Sequence, residues 1–207
     1  MIRKGNGMED LVSFVESKGG HIRQNEQGEL DSIYLYNCNV ADHDLDIFTR
    51  LGANEIALLD FSGTQVTDEV LAKLASLQHL EYLELGHTTI TGTGFANVTF
   101  TSLKKLSFRG CDQLNVDGFQ QIVKCQNLEK LDLVESNIDD PFLQEIAKLP
   151  RLKTLWADHT RLTNAGLQYL NNMTQLRSFT LDKTAVTREG MQELWKHLPD
   201  LNNGFIM

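Results

Sequence analysis

A single pattern recurs along this chain at a nearly fixed spacing, and it limits the possible folds more than any other feature. In residues 152–175, Leu155 and Ala157 alternate as in a strand, whereas Leu167 and Leu170 recur at helical spacing. A period of two therefore changes to a period near 3.6 within one unit. Equivalent units begin at Leu30, Ile56, Leu80, Leu103, Leu128, Leu152 and Leu176, with a shortened unit from Leu201. The steps are 26, 24, 23, 25, 24, 24 and 25 residues, which indicates a repeat protein.

The spacing inside each unit resembles the leucine-rich repeat family, whose units of about 20–29 residues carry L-x-x-L-x-L-x-x-N/C-x-L. The segment Thr88–Phe95, T-x-I-T-x-x-G-F, is similar to the T-x-I-T-x-x-G-L ending of a bacterial subgroup. The segment Cys111–Phe119 is similar to the cysteine-containing repeats found behind F-box domains. The resemblance extends from about Leu30 to the end of the chain.

This resemblance implies an α/β fold: a right-handed leucine-rich repeat solenoid, or horseshoe. Parallel strands would line its concave face, and helical or 3-10 segments would line its convex face. We expect residues 1–29 to form an N-terminal tail with a capping helix and strand, and residues 30–207 to form seven repeats plus a C-terminal capping stub. The predicted strands lie near Ser32–Tyr36, Leu58–Ser62, Tyr82–Gly86, Lys105–Arg109, Lys130–Val134, Thr154–Asp158 and Ser178–Asp182.

Threonine and glycine recur where each strand-like segment gives way to a helical one. Thr67, Thr91, Thr163 and Thr187 are placed to cap the segment that follows them. Gly94, Gly118, Gly166 and Gly190 are predicted to allow a tight entry into it. At the ends of the array, residues 8–29 would cover the first unit, and Trp195, Leu198 and Phe205 are suited to cover the last.

Charge and cysteine usage narrow the possible partners. The formal net charge of −9 argues against binding to a nucleic-acid backbone. The sequence contains no run of 18 apolar residues, so no membrane span is predicted. All three cysteines are predicted to face the core. Cys38 and Cys111 are three strands apart, about 14 Å at about 4.8 Å per strand, which is too far for a disulfide. We therefore expect a cytoplasmic monomer with reduced thiols, no metal and no cofactor.

The outward positions of the predicted strands supply the candidate binding site. In leucine-rich repeat proteins this side is the concave surface, which is usually the binding surface. The residues predicted to contact a partner are Tyr34, Tyr36, Tyr82, Arg109, Asp132, Trp156, Asp158, His159 and Asp182. Trp156 is the expected anchor, since tryptophan is favoured at the centre of interfaces. The alternatives are that Trp156 lies flat on neighbouring side chains, and that the aspartates form only a solvated acidic face.

The sequence therefore favours a non-catalytic protein-binding module, with a protein partner that carries a basic patch. The alternative is a substrate-recognition subunit of a larger assembly such as a ubiquitin ligase, although residues 1–29 leave no room for an F-box of three helices. An enzyme is the third class. Glu135, His159 and Lys183 lie on consecutive repeats and could in principle act as acid and base, but no nucleophile accompanies them.

Replacing Leu131 with alanine should test the repeat phase, because this leucine is predicted to be buried in the middle of the array. We expect Leu131→Ala to lower the free energy of unfolding by about 2–5 kcal/mol, measured by urea or thermal denaturation. A loss below about 0.5 kcal/mol would mean that the phase is wrong.

Overall fold

The computed structural model describes residues 6–50 and 56–203. Within these ranges nine strands form one sheet and follow each other in chain order. They are β1 (His21–Gln24), β2 (Leu30–Tyr34), β3 (Leu58–Asp60), β4 (Tyr82–Glu84), β5 (Lys105–Ser107), β6 (Lys130–Asp132), β7 (Thr154–Trp156), β8 (Ser178–Thr180) and β9 (Asn202–Asn203). Strand β1 is antiparallel to β2, and every later pair is parallel. The predicted parallel repeat sheet is thus confirmed.

Helical segments connect successive parallel strands. The α-helices in the described ranges are α1 (Asn6–Ser17), α2 (Asp46–Arg50), α3 (Glu69–Lys73), α4 (Val116–Ile122), α5 (Asp140–Ile146), α6 (Asn164–Leu167) and α7 (Arg188–His197). Residues Asp42–Leu45, Thr93–Asn97 and Gln168–Leu170 form 3-10 helices. Because most of these segments have only one or two turns, their stability must come from packing against neighbouring repeats.

The strands are shorter than predicted. Strands β3 to β8 begin where expected but end two residues early, and β2 runs from Leu30 to Tyr34. The cause is a turn shortly after each strand, where one residue takes a positive φ. Hydrogen bonding between repeats nevertheless continues up to this turn. The N–H of Leu133 donates to the Trp156 carbonyl at 2.8 Å, and the N–H of Glu135 donates to the Asp158 carbonyl at 2.9 Å.

The hydrophobic core lies between the sheet and the helical segments. The central residue of each middle strand, such as Leu83, Leu106, Leu131 and Leu155, is completely buried. Phenylalanines from the helical segments and Phe108, which follows β5, form a chain of ring contacts within and between repeats. The ring centroids are 6.1 Å apart between Phe95 and Phe108, 6.5 Å between Phe108 and Phe119, and 5.4 Å between Phe119 and Phe142. One continuous core therefore runs through the array.

The predicted threonine caps are present, and they also join neighbouring repeats. Thr163 Oγ1 accepts a hydrogen bond from the N–H of Ala165, and the Thr163 N–H and hydroxyl in turn donate to Asp140 at 2.8 and 2.6 Å. Asp68 accepts in the same way from the Thr91 N–H and hydroxyl of the following repeat. An acidic side chain in one repeat thus fixes the cap of the next. The sequence analysis did not predict this link.

The predicted glycines serve a different purpose from the one expected. A Cβ atom on Gly118 would lie 2.4 Å from the carbonyl oxygen of Thr91, and one on Gly94 would lie 2.4 Å from that of Asp68. Neither glycine has a positive φ. They are needed because the backbone of the preceding repeat approaches so closely, and not for an unusual entry conformation.

The first repeat is covered at its free edge. Leu11 and Val15 of α1 are fully buried, β1 pairs with β2, and Lys18 Nζ lies 2.6 Å from Asp44 Oδ1. At the other end Leu198 and Leu201 are buried and Trp195 is half-buried against the core. The third residue predicted to cover this end, Phe205, lies outside the described residues.

The three cysteines are free thiols, but they do not all face the core as predicted. Cys111 and Cys125 are buried, and burial raises the pKa of Cys125 to about 11. Cys38 is only half-buried; it lies in the first repeat unit, between the exposed residues Asn37 and Asn39.

Gly118→Ala should destabilise the protein, because its added methyl group cannot avoid the Thr91 carbonyl without moving the backbone. We expect the free energy of unfolding to fall by about 1–3 kcal/mol. The matched control is Gln120→Ala, an exposed position in the same helix, which should change it by less than about 0.5 kcal/mol. Equal urea midpoints for the two variants would contradict close packing of these repeats.

Candidate binding surface

The register of the sheet aligns the predicted outward residues in columns across the repeats. One column consists of Tyr34, Asp60, Glu84, Ser107, Asp132, Trp156 and Thr180. Since alternate side chains of a strand point to opposite faces, this column belongs to the face opposite the buried leucines. We call it the sheet face.

A depression of about 380 Å³ lies on the sheet face toward its C-terminal end. We call it the C-terminal depression. Its lining residues are Arg109, Val134, Glu135, Trp156, Asp158, His159, Thr180 and Asp182. Five of the nine predicted site residues thus come together here. Val134 is almost fully buried and Trp156 is half-buried, so the lining combines an apolar part with charged neighbours.

A second depression, of about 390 Å³, lies toward the N-terminal end of the sheet face. It contains the predicted residues Tyr34 and Asp132, and Arg109 lines both depressions. Its charged side chains are largely paired with each other. Lys105 Nζ, for example, lies 2.6 Å from Glu84 Oε1. This depression consequently offers a partner fewer free charges than its size suggests.

Arg109 and Asp132 form the ion pair that separates the two depressions. The Arg109 Nη2 and Nε atoms donate to Asp132 Oδ2 at 3.1 and 3.3 Å, and Asp132 Oδ1 accepts from the Val134 N–H at 3.0 Å. Asp132 is only 8% exposed. It therefore holds Arg109 in place, and the guanidinium is the member of the pair that solvent reaches.

Asp158 and Asp182 look equivalent in the sequence but differ in the structure. Asp158 Oδ1 accepts from the Asp182 N–H and Oδ2 accepts from the Thr180 hydroxyl, both at 2.6 Å. The Asp182 carboxylate makes no hydrogen bond or ion pair with any residue that the structure describes. Asp158 thus connects two strands, whereas Asp182 is available to a ligand.

The remaining predicted residues lie apart from the C-terminal depression. The Tyr34 ring stacks on His21 of β1 at 4.6 Å, and the Tyr36 ring meets the same imidazole edge-on at 5.9 Å. Tyr36 is 50% exposed. Tyr82 is half-buried, and neither it nor Tyr36 lines either depression described above.

A column of residues with positive φ borders the sheet face where the chain leaves each strand. Its members, which we call the lip, are Asn37, Gly63, His87, Gly110, Glu135, His159 and Lys183, with φ between 53° and 68°. Residues other than glycine or asparagine take this left-handed conformation at a cost of about 1–2 kcal/mol each. The sequence analysis placed these residues on the open edge but missed their conformation, although two glycines and an asparagine in one column were a visible signal.

The side chains of Glu135, His159 and Lys183 are all exposed, and no ion pair joins them in the described part of the chain. Within that part, no group of three His, Cys, Asp or Glu residues is placed to hold a metal ion. In the residues that the structure describes, no helix is long and apolar enough to cross a membrane.

Comparison with known proteins agrees with this architecture. A family model described as leucine-rich repeat matches residues 76–95 and 124–147. Internalin C2 from Listeria monocytogenes str. 4b F2365 has a similar structure, with a TM-score of 0.66 and 17% sequence identity over 93% of this chain and 80% of that chain. No curated protein matches the sequence. Residues 76–95 and 124–147 thus match leucine-rich repeats, and the chain has the leucine-rich repeat fold, which generally mediates protein–protein interaction.

The different environments of Asp158 and Asp182 predict different effects of their replacement. Asp158→Ala should lower the free energy of unfolding by about 1–2 kcal/mol, because the half-buried Asp182 N–H loses its acceptor. Asp182→Ala should change it by less than about 0.5 kcal/mol. Urea denaturation of both variants measures the difference. Equal losses would show that the Asp158 carboxylate does not connect the strands.

Proposed function

We propose that this protein is a non-catalytic binding module that holds a protein partner on the sheet face, in the C-terminal depression. The observation that carries the proposal is the position of Trp156. Its large ring is only half-buried and lies in a depression of about 380 Å³ with the apolar Val134 and charged neighbours. Apolar anchors surrounded by polar residues are the usual energetic centres of protein interfaces.

The charges around Trp156 favour a partner with an exposed lysine or arginine. The Asp182 carboxylate has no intramolecular partner among the described residues, and Glu135 is exposed beside the same depression. The one arginine that lines it, Arg109, is already neutralised by Asp132. A formal net charge of −9 would also speed the approach of a basic partner.

We also propose domain boundaries for the chain and a location in the cell. Residues 1–29 act as a tail and cap for the repeat domain of residues 30–207, supported by the buried face of α1 and by the pairing of β1 with β2. Three unpaired thiols are compatible with the reducing cytoplasm. We propose a monomer without catalytic activity, since leucine-rich repeat folds typically serve as interaction modules.

Trp156→Ala provides the direct test, using a partner isolated by affinity capture from the native lysate. If Trp156 is the anchor, its loss should weaken binding by at least about 2 kcal/mol, or about 30-fold in Kd, measured by calorimetry. Tyr36→Ala is the matched control, because it removes an exposed aromatic ring from the other end of the sheet face. Equal affinity of wild type and Trp156→Ala would remove the C-terminal depression from consideration.

Asp182→Asn should mainly slow association, and the difference from wild type should shrink as salt is added, because long-range attraction is screened. Asp182 is a better choice than Asp158 for this measurement, since its replacement leaves the hydrogen bonds between strands intact.

A further inference from the structure

Three residues of the lip that are not glycine have a backbone conformation that favours glycine. No contact of their side chains within the described residues accounts for this. Glu135, His159 and Lys183 have φ of 59°, 56° and 57° and are exposed. Their side chains make no hydrogen bond, ion pair or ring contact with another described residue. Their N–H groups do serve the fold, since those of Glu135 and His159 donate to the next repeat at 2.9 and 2.7 Å. Glycine could make these backbone bonds equally well.

The same lip shows that glycine is compatible with this position. Gly63 and Gly110 take the equivalent place in two other repeats, with φ of 68° and 65°. A Cβ on Gly110 would lie 2.2 Å from His87 Nδ1, so that glycine makes room for the neighbouring imidazole. The lip therefore alternates between a side chain and a glycine in its N-terminal half, whereas three consecutive side chains rise from it beside the C-terminal depression. Backbone strain without an internal benefit is a recognised mark of functional positions.

We propose that Glu135, His159 and Lys183 read the order of charges in an extended segment of the partner. This inference rests on the proposed function, because it concerns the same depression. Adjacent strands are about 4.8 Å apart, so Glu135 and Lys183 are separated by about 10 Å. That distance corresponds to three residues of a segment in the extended polyproline II conformation, which rises about 3.1 Å per residue and places every third side chain on the same side. The complementary segment therefore carries a basic residue opposite Glu135 and an acidic residue opposite Lys183, three positions apart.

The residues inside the depression complete the pattern that this segment must match. Trp156 lies on the middle of the three strands and would receive an apolar side chain between the two charges. Asp158 accepts hydrogen bonds from the Thr180 hydroxyl and the Asp182 N–H, and Arg109 is paired with Asp132. Neither side chain is therefore free to pair with the charges of the segment. Asp182 is the remaining free carboxylate. It belongs to the same repeat as Lys183 but, unlike Lys183, it lines the depression.

Phage display tests this inference. The full chain is immobilised, and peptides that bind it are selected from a library of random heptapeptides. Peptides enriched on wild type should carry a basic and an acidic residue three positions apart, in one order, with an apolar residue between them. The doubly exchanged variant Glu135→Lys/Lys183→Glu keeps the net charge but reverses the order of the two charges on the lip. It should enrich peptides of the opposite order and reduce recovery of the wild-type peptides at least about tenfold. Recovery of the same peptides on both proteins would overturn the inference.

Two further variants separate this inference from the proposed function. Peptides that bind Trp156→Ala as well as wild type would contradict the proposed function, whether or not the exchanged variant reverses their order. Peptides that lose binding to Trp156→Ala but bind the doubly exchanged variant as well as wild type would overturn only the inference about the lip. The triple variant Glu135→Gly/His159→Gly/Lys183→Gly should bind the wild-type peptides at least about tenfold more weakly while its Tm rises by about 3 °C or more. A lower Tm would show that the lip is not strained and would overturn the argument.

Discussion

Stacking of one repeat on the next is the interaction on which this structure depends. Each strand has only two to five residues and most helices have one or two turns, so no unit holds its own apolar side chains away from water. The fully buried leucines at the strand centres pack against neighbouring repeats, and the Phe95–Phe108 and Phe119–Phe142 contacts and the hydrogen bonds across the sheet join one repeat to the next. Stability is therefore a property of the array, and damage to one repeat reaches its neighbours.

Two features fix the distance between repeats. Asp68 and Asp140 bind the caps of the following repeat, and Gly94 and Gly118 allow the backbones of adjacent repeats to come within contact. Both features lie on the helical side of the molecule and hold that side together. On the sheet face, Asp132 and Asp158 also join neighbouring repeats.

The proposed binding function is concentrated where the sheet face and the lip meet. Hydrogen bonding occupies Asp158, and an ion pair occupies Asp132 and Arg109, so charge alone does not identify the residues available to a partner. The half-exposed Trp156, the free carboxylate of Asp182 and the strained side chains of the lip remain. A surface that combines an apolar anchor with charges in a fixed order can select a partner both by fit and by electrostatic complementarity.

The sequence by itself determined the repeat, its phase and the parallel sheet. Leucine spacing encodes these directly, and a slip of one residue would expose every buried leucine. It also identified Trp156 and Asp182 as outward positions. Only the tertiary structure decided that the strands end early, that Cys38 is half-exposed, and that Asp158 and Asp132 are already bonded. The bonds of Asp158 and Asp132 join residues more than 20 positions apart. The local pattern of a single repeat carries no information about them.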